Sequence, residues 1–483
     1  MDFEIGERIR VDSQIATILY IGKVEGYGEQ VWVGVEWDDE KRGKHDGIVK
    51  GVRYFQTKHP TGGSLVKVQN ITKPLDLLAE IQSRYIGDED DVEDEIDLVQ
   101  TSKKIELVGM QKTAMKQSNI EKLVNIVLDN RCVGLAPPQN SPIFTNCREL
   151  NLYGNLIYKW KTVQNILKYF PKIHELNLRR NRMQEIEENY EIFSESCRKL
   201  VISECQITQK SISPILKMFP NLTEIVAFGN ELNKIEIAEN LSRNITVLDL
   251  EDNPIQKFSN ISGNFENLLH LNLSNCGFTE INKIGDFENL ESLNLRGNLI
   301  TKWSSINELK KLGKLKKLLF DCKNLECEKG VNVFEVIIAK LEKLEDLNRF
   351  DVSEVERRSA EIRFLNKYAT LKIDAEHLSD IERMIKKHGE PSVDTAKKGL
   401  SVVKIRIQFE NRIETRSLPL GMTVQKIRDM LARLFKISAD SIRIYLEMSE
   451  NSKKHRIELE NPLREFGHYS PNEERDVLIV EGF

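Results

Sequence analysis

Glu149-Leu150-Asn151-Leu152-Tyr153-Gly154-Asn155-Leu156 is one of eight versions of a single phrase, apolar–x–apolar–x–x–Asn/Cys–x–apolar, written between Leu150 and Leu325. Its asparagine position holds Asn155, Asn181, Cys205, Asn230, Asn253, Cys276, Asn298 and Lys323, at spacings of 22 to 26 residues. A unit this short cannot bury its own apolar side, so neighbouring units must supply one another's core. The expected product is a stack of strand-plus-connector units whose strands line one open face. Such a face suits gripping another protein, and nothing in the phrase resembles a reaction centre.

Working outward, the period falls within the ~20–29 residues of leucine-rich repeats. An atypical opening unit is expected at Ile126 and Leu128, 24 residues before the Leu150 unit. Past Leu325 the phrase decays into Leu341, Leu344 and Leu347. Terminal units need a polar outer side, so a helical cap should close the stack near Tyr368. Lys323 marks the decay, because lysine cannot accept the backbone bonds that an inward asparagine accepts. The α/β repeat solenoid with its cap is assigned to residues 105–370.

Strand residues flanking the core leucines point to the open face. Most are polar, as in Glu175, Asn177 and Arg179, or His270, Asn272 and Ser274. Val201, Val226, Phe228 and Val247 break the pattern in three successive repeats, ringed by Glu224, Asp249 and Glu251. They form a candidate protein-binding patch. The valines are also simply good strand formers; Phe228 is harder to explain that way.

Ten of the 26 glycines lie between Gly6 and Gly63, so the first 72 residues must be dense in turns. Short β-rich runs, Arg8 to Val11, Ala16 to Ile21, Val31 to Trp37 and Leu65 to Val68, separate them. They predict a small antiparallel β-barrel. Its centre is Gly43-Lys44-His45-Asp46-Gly47, preceded by Trp32-Val33-Gly34-Val35-Glu36-Trp37 and followed by Arg53-Tyr54-Phe55. This module resembles a CAP-Gly domain over about 65 residues. The resemblance implies capture of an acidic chain end, such as the α-tubulin tail, by Lys44, His45, Asp46 and Gly47. Tyr27 and Trp32 stand where that family places groove aromatics, and Lys67 would pair a tail glutamate. His45 replaces the family's usual Asn, and Leu65 stands where a groove aromatic is common. Physically, flanking glycines let backbone approach a ligand closely, and clustered amides beside a lysine suit a carboxylate. Trp37, Tyr54 and Phe55 read as barrel core.

A helix is expected from Pro74 to Tyr85, within a linker assigned to 73–104. Between Asp88 and Asp97 only Val92 and Ile96 are uncharged, a self-repelling run read as a mobile tether and as an internal decoy for the basic groove. A second linker is assigned to 371–399, with a helix around Leu378, Ile381 and Ile385. Residues 400–483 change period again. Val402 to Phe409 alternates, Ile413 to Leu418 follows, Val424 to Leu434 has helical spacing, and Ile442 to Leu446 and Val477 to Val480 read as strands. This β-β-α-β-β order is that of a ubiquitin-like β-grasp. The final Glu481-Gly482-Phe483 lacks a Gly-Gly pair, so a docking module is expected.

The chain's 483 residues allow about three domains. Its net charge of −5 argues against nucleic acid, which wants a basic stripe. No secretory leader and no membrane-length apolar run are apparent. The seven cysteines, all between Cys132 and Cys327, show no paired metal spacing and fit reduced cytosolic thiols. No phosphate loop, zinc-protease motif or nucleophile elbow is present, so neither catalytic residue, metal nor cofactor is assigned.

Taken in this order, the three modules resemble the tubulin-folding cofactor E family. That resemblance implies a cytoplasmic, cytoskeleton-associated chaperone that binds α-tubulin and the αβ-tubulin heterodimer. It also implies work with other tubulin cofactors (B, C and D) in heterodimer assembly and dissociation. A proteasome or ubiquitin-pathway contact through the ubiquitin-like domain is a further expectation. The alternative is a microtubule-binding CAP-Gly adaptor linking tubulin to that pathway, although the long heptads usual in such adaptors are missing.

Overall fold

A computed structural model of the chain describes residues 3–86, 120–186, 191–237, 239–263, 265–284, 287–326, 331–368, 375–391, 402–450, 453–462, 464–473 and 475–482. The acidic run 88–97 lies outside the described residues. The chain divides into two compact units, one of residues 1–278 with 285–290, the other of 279–284 with 291–483.

The first unit opens with strands β1 (Arg8–Val11), β2 (Gln14–Lys23), β3 (Val31–Trp37), β4 (Ile48–Val49), β5 (Val52–Arg53), β6 (Gly63–Lys67) and β7 (Ile71–Thr72). Five of them form one antiparallel sheet, ordered β6-β3-β2-β1-β7, and β4 and β5 make a separate hairpin. Alternation along β3 sends Val33, Val35 and Trp37 inward onto Ile9, Val11, Ala16 and Ile18. Trp32, Gly34 and Glu36 therefore share the opposite face. The hairpin turns on Lys50 and Gly51, both left-handed at φ 49° and 83°, the geometry a two-residue β-hairpin favours.

Of the segment read as a linker, residues 73–86 carry β8 (Leu75–Asp76) and helix α1 (Leu77–Tyr85). Asp76 caps the helix by accepting from Ala79 N at 2.9 Å. β8 pairs in parallel with β10 (Val133–Leu135) of the repeat region. The expected helix is present, and the segment around it packs directly on the repeats. Asp38, one residue beyond β3, is the principal link. It binds the almost fully buried Arg8 from within the barrel, at 2.7 Å through one oxygen, and Arg182 of the repeats at 3.1 Å. Arg182 also donates to the Asp38 carbonyl at 3.2 Å, and Arg10 donates to the Asn130 carbonyl.

The repeats lay down parallel strands β9 (Asn125–Val127), β11 (Glu149–Asn151), β12 (Glu175–Asn177), β13 (Lys199–Val201), β14 (Glu224–Val226), β16 (Val247–Asp249) and β18 (His270–Asn272). β15 (Ile235–Glu236) and β17 (Ile261–Ser262) pair separately. The expected opening unit is β9, with Ile126 in register with Leu150. Each inward asparagine ties two turns together. The Asn230 amide oxygen accepts from Cys205 N and Ile207 N at 3.1 and 2.9 Å, while its nitrogen donates to the Ile202 and Ala227 carbonyls. Cys205 and Cys276 stand in for asparagine as donors, their thiols reaching the Leu178 and Leu250 carbonyls at 3.0 and 3.2 Å. Burial pushes both thiols up to about 12, so they stay protonated and keep donating.

The second unit contains β19 (Ser292–Asn294), β20 (Lys317–Leu319), β21 (Asp346–Leu347) and β22 (Phe350–Asp351). Lys323 sits in a 3-10 turn rather than inward, and Asn348 exchanges two bonds with the Phe320 backbone. The cap is α7 (Glu354–Tyr368), preceded by helices α2 (Trp160–Leu167), α3 (Gln209–Met218) and α4 (Glu239–Ser242) in the first unit and α5 (Trp303–Leu309) and α6 (Val333–Lys340) in this one. Helix α8 (Leu378–His388) buries charge as well as apolar surface. Its Asp380 meets Lys340 and Lys310 at 2.8 and 2.6 Å, and Glu361 of α7 meets Lys387 and His388 at 2.8 and 2.7 Å. Burial lowers the Lys340 amine to about 8, although Asp380 supports its charge.

The β-grasp closes the chain. Strands β23 (Val402–Phe409), β24 (Arg412–Pro419), β25 (Ile442–Glu450), β26 (Lys453–Glu458) and β27 (Val477–Gly482) lie in the order β24-β23-β27-β25-β26. Helix α9 (Val424–Phe435) buries Ile427 and Leu431 against Ile405, Ile444 and Leu478. β26 is a fifth strand that the sequence reading did not include. The domain rests on α7, where Arg358 meets the buried Asp476 at 3.1 Å.

Candidate functional site: a glycine-built slot and the repeat face

The signature loop is anchored by its backbone. Lys44 N and His45 N both reach Gly63 O, at 2.7 and 3.3 Å, and Gly63 N returns a bond to His45 O at 2.8 Å. Two glycines are obligatory here. A Cβ at Gly43 would stand 2.2 Å from Thr61 O, and at Gly47, with φ +102°, 2.1 Å from Phe55 O. His45 accepts from Gly47 N through Nδ1 at 3.1 Å, which a neutral imidazole permits. Burial lowers its pKa and Lys44 adds to this, with Asp46 opposing. Asp46 is occupied internally: it pairs with Arg53 at 2.8 Å and accepts from Ile48 N. It therefore shapes the loop, while the Lys44 side chain is exposed.

The aromatic side of the slot lies on the outer face of the sheet. Trp32 faces Lys67 in register, and Gly34 faces Leu65, so Trp32, Leu65 and Lys67 share that face. Tyr27 packs edge-on to Trp32 with centroids 5.4 Å apart, and Lys50 covers the Tyr27 ring at 4.5 Å. The buried Trp32 indole N–H has no acceptor among the described residues.

The sequence reads Phe55 and Tyr54 as core; burial bears this out for Phe55, while Tyr54 is only half-buried. Phe55 is buried, yet over Gly34 on the outer face and 5.7 Å from the His45 ring. Tyr54 packs on Tyr20 at 5.3 Å and accepts from Glu25 N. The signal for Phe55 was Gly34: a glycine in mid-strand marks a place where something lies close over the backbone. Trp37 is core as expected, with its Nε1 donating to Ser64.

On the repeats, Val201 and Val226 are in register on adjacent strands, and Val247 lies diagonally, in register with Glu224. All three are half-buried. Phe228 falls just beyond β14, under the Arg179 guanidinium at 4.4 Å. Asp249 is pushed above its ordinary range by burial, with Glu251 and Asp252 adding to the effect.

Comparison with known proteins bears on the chain as a whole. The CAP-Gly domain family matches residues 5–71. Tubulin-specific chaperone E of Mus musculus is 31% identical over 519 residues, spanning 99% of this chain and 98% of the relative. The chain belongs to the tubulin-specific chaperone E family. The human member is 28% identical over 519 residues, with 99% and 98% covered. The solution structure of the C-terminal ubiquitin-like domain of mouse tubulin-specific chaperone E is 29% identical, covering 19% of this chain and 94% of that one, at a TM-score of 0.17. Among the described residues, no helix is long and apolar enough to cross a membrane.

Proposed function

We infer that this chain is a tubulin-folding chaperone that binds α-tubulin at two places. The slot formed by Lys44, His45, Gly47, Trp32 and Lys67 takes the acidic chain end. The repeat face around Val201, Val226, Phe228 and Val247 takes the folded body. The β-grasp recruits other tubulin cofactors, and together they assemble and dissociate αβ-tubulin heterodimers in the cytoplasm. The observation that carries this reading is similarity to tubulin-specific chaperone E along 99% of the chain.

Magnitudes require two contacts. An exposed ion pair contributes ~0.2–1 kcal/mol and one buried aromatic ring ~1.5–3 kcal/mol, whereas micromolar affinity needs ~8 kcal/mol. The slot alone falls short; two linked contacts reinforce each other. Size-exclusion chromatography of the chain with tubulin heterodimer, followed by assay for released β-tubulin, tests the function. Lys44→Ala should weaken complex formation without abolishing it. Undiminished binding by the Val226→Ser/Phe228→Ala double variant would remove the repeat face from the account.

A further inference from the structure

The turn that follows each repeat strand repeats its geometry, so one position recurs along the edge of the stack. It is held by Tyr153, Arg179, Ser203, Phe228 and Glu251 in successive repeats. Arg179 lies 5.6 Å from the Tyr153 ring on one side and 4.4 Å from the Phe228 ring on the other. The reach to Phe228 skips a repeat, and the small, fully buried Ser203 leaves room for it. The next residue, Arg180, is left-handed at φ 61°, donates to the Tyr153 hydroxyl at 2.8 Å and is exposed. One carboxylate serves both arginines: Glu204 accepts from Arg179 Nε and Arg180 Nε, each at 2.9 Å. Burial raises the Glu204 carboxyl, but the two arginines outweigh it and hold the group below its usual range. Two guanidiniums thus share one ionised acid, leaving a positive surplus braced between aromatic rings.

This cluster adjoins the barrel. Arg182, two residues beyond Arg180, grips Asp38. Asp38 follows β3, at the end where Glu36 pairs with Gly63, the residue that anchors Lys44 and His45. Past Phe228 the edge turns acidic, with Asp249, Glu251 and Asp252.

We propose that Arg179 and Arg180 form a second anionic subsite that takes carboxylates upstream in the same acidic chain end whose terminus occupies the glycine slot. This rests on the tail-capture reading above and adds a direction. The segment leaves the slot at the Lys44 end, crosses to the Arg179–Arg180 pair by displacing Glu204, and is turned back by the acidic residues beyond Phe228. The partner is an extended, glutamate-rich protein terminus.

The test uses the full-length chain and two fluorescent peptides, a Glu-Glu-Tyr tripeptide and a glutamate-rich peptide of about ten residues with the same end, about 33 Å long when extended. The Arg179→Gln/Arg180→Gln variant should lose about two- to thirtyfold affinity for the long peptide, the range for two exposed ion pairs. Its affinity for the tripeptide should be unchanged. Glu204→Gln, which removes the competing acid, should bind the long peptide more tightly than the parent, an effect that a merely structural role would not give. Equal loss for both peptides, or an unaltered long-peptide affinity in both variants, overturns the subsite and leaves the slot standing. Failure of the parent chain to bind either peptide overturns both.

Discussion

Replacing Asp38 with alanine should unlock the barrel from within and from the repeats at once. Arg8 is 1% exposed, and its guanidinium has two described acceptors, Asp38 and Thr17 Oγ1 at 2.9 Å. Removing one partner of a buried ion pair costs ~3–5 kcal/mol, because the remaining charge stays buried. The Asp38 side chain is 30% exposed, so solvent screening reduces the expectation to ~2–4 kcal/mol. At ~1.4 kcal/mol per tenfold, this becomes about a 30- to 1,000-fold rise in the opening equilibrium. Hydrogen exchange read by mass spectrometry over β1 and β2 reports it directly, with β23 to β27 as internal reference. Arg182→Ala, which leaves the Arg8–Asp38 pair intact, should accelerate exchange in the barrel far less. Adding Arg182→Ala to Asp38→Ala should then cost less than the separate effects predict, as expected for residues sharing one partner. An Asp38→Ala protein whose β1 amides exchange as slowly as the parent's would refute the assignment of Asp38 as the link.

Four other outcomes are expected. His45 should titrate below its ordinary 6.5, because burial disfavours the charged ring; the loop's stability is then present above that range and lost as pH falls through the lowered value. NMR of the His45 ring and Gly47 amide checks this, and a midpoint at or above 6.5 contradicts it. Burial raises the Asp380 and Glu361 carboxyls, but Lys340 and Lys310, and His388 and Lys387, outweigh it and hold both low. Their contribution is therefore complete above the ordinary values of 3.8 and 4.5 and fades as pH falls through the depressed ones; pepsin should begin to cut α8 in that acid window and not above it. Asn230→Ala removes acceptors and donors for four buried backbone groups and should destabilise the central repeats by about 3 kcal/mol or more, seen as a lower urea midpoint for the first unit. Deleting residues 88–97 should raise affinity for an acidic tail peptide if that run competes for the slot, and unaltered affinity would retire the idea.

The repeats were legible because their information is local and periodic. Each strand's central leucine or isoleucine and each inward asparagine recur at fixed offsets, and even the two cysteines obey the rule as donors. β26 escaped notice for the opposite reason. Lys453-Lys454-His455-Arg456-Ile457-Glu458 places Ile457 against Leu446 and Lys454 and Arg456 against Glu447, so its stability comes from cross-strand charge rather than apolar alternation. The slot was legible in its loop and incomplete in its walls. Gly43 and Gly47 announce close backbone approach, but the side of the sheet on which Phe55 is buried shows only once its ring is seen over Gly34. Least legible were the contacts between modules. Arg8, Asp38 and Arg182 are far apart in sequence, each resembles a surface charge, and no local pattern says that one is 1% exposed.

Those contacts change how two weak grips combine. A flexible tether sets an effective concentration that falls with its length, and it tolerates any geometry it can span. A mount fixed by Asp38 through Arg182, by Arg10 on the Asn130 carbonyl and by β8 alongside β10 instead holds the signature loop in one relation to the Arg179–Arg180 edge. A partner whose chain end leaves its body at a compatible place then gains both contacts without the ordering cost of a tether, while one with another exit geometry gains only one. Under the proposed function, discrimination follows from the mount itself: a slot that takes an acidic terminus, held beside the repeats, selects among proteins that carry one.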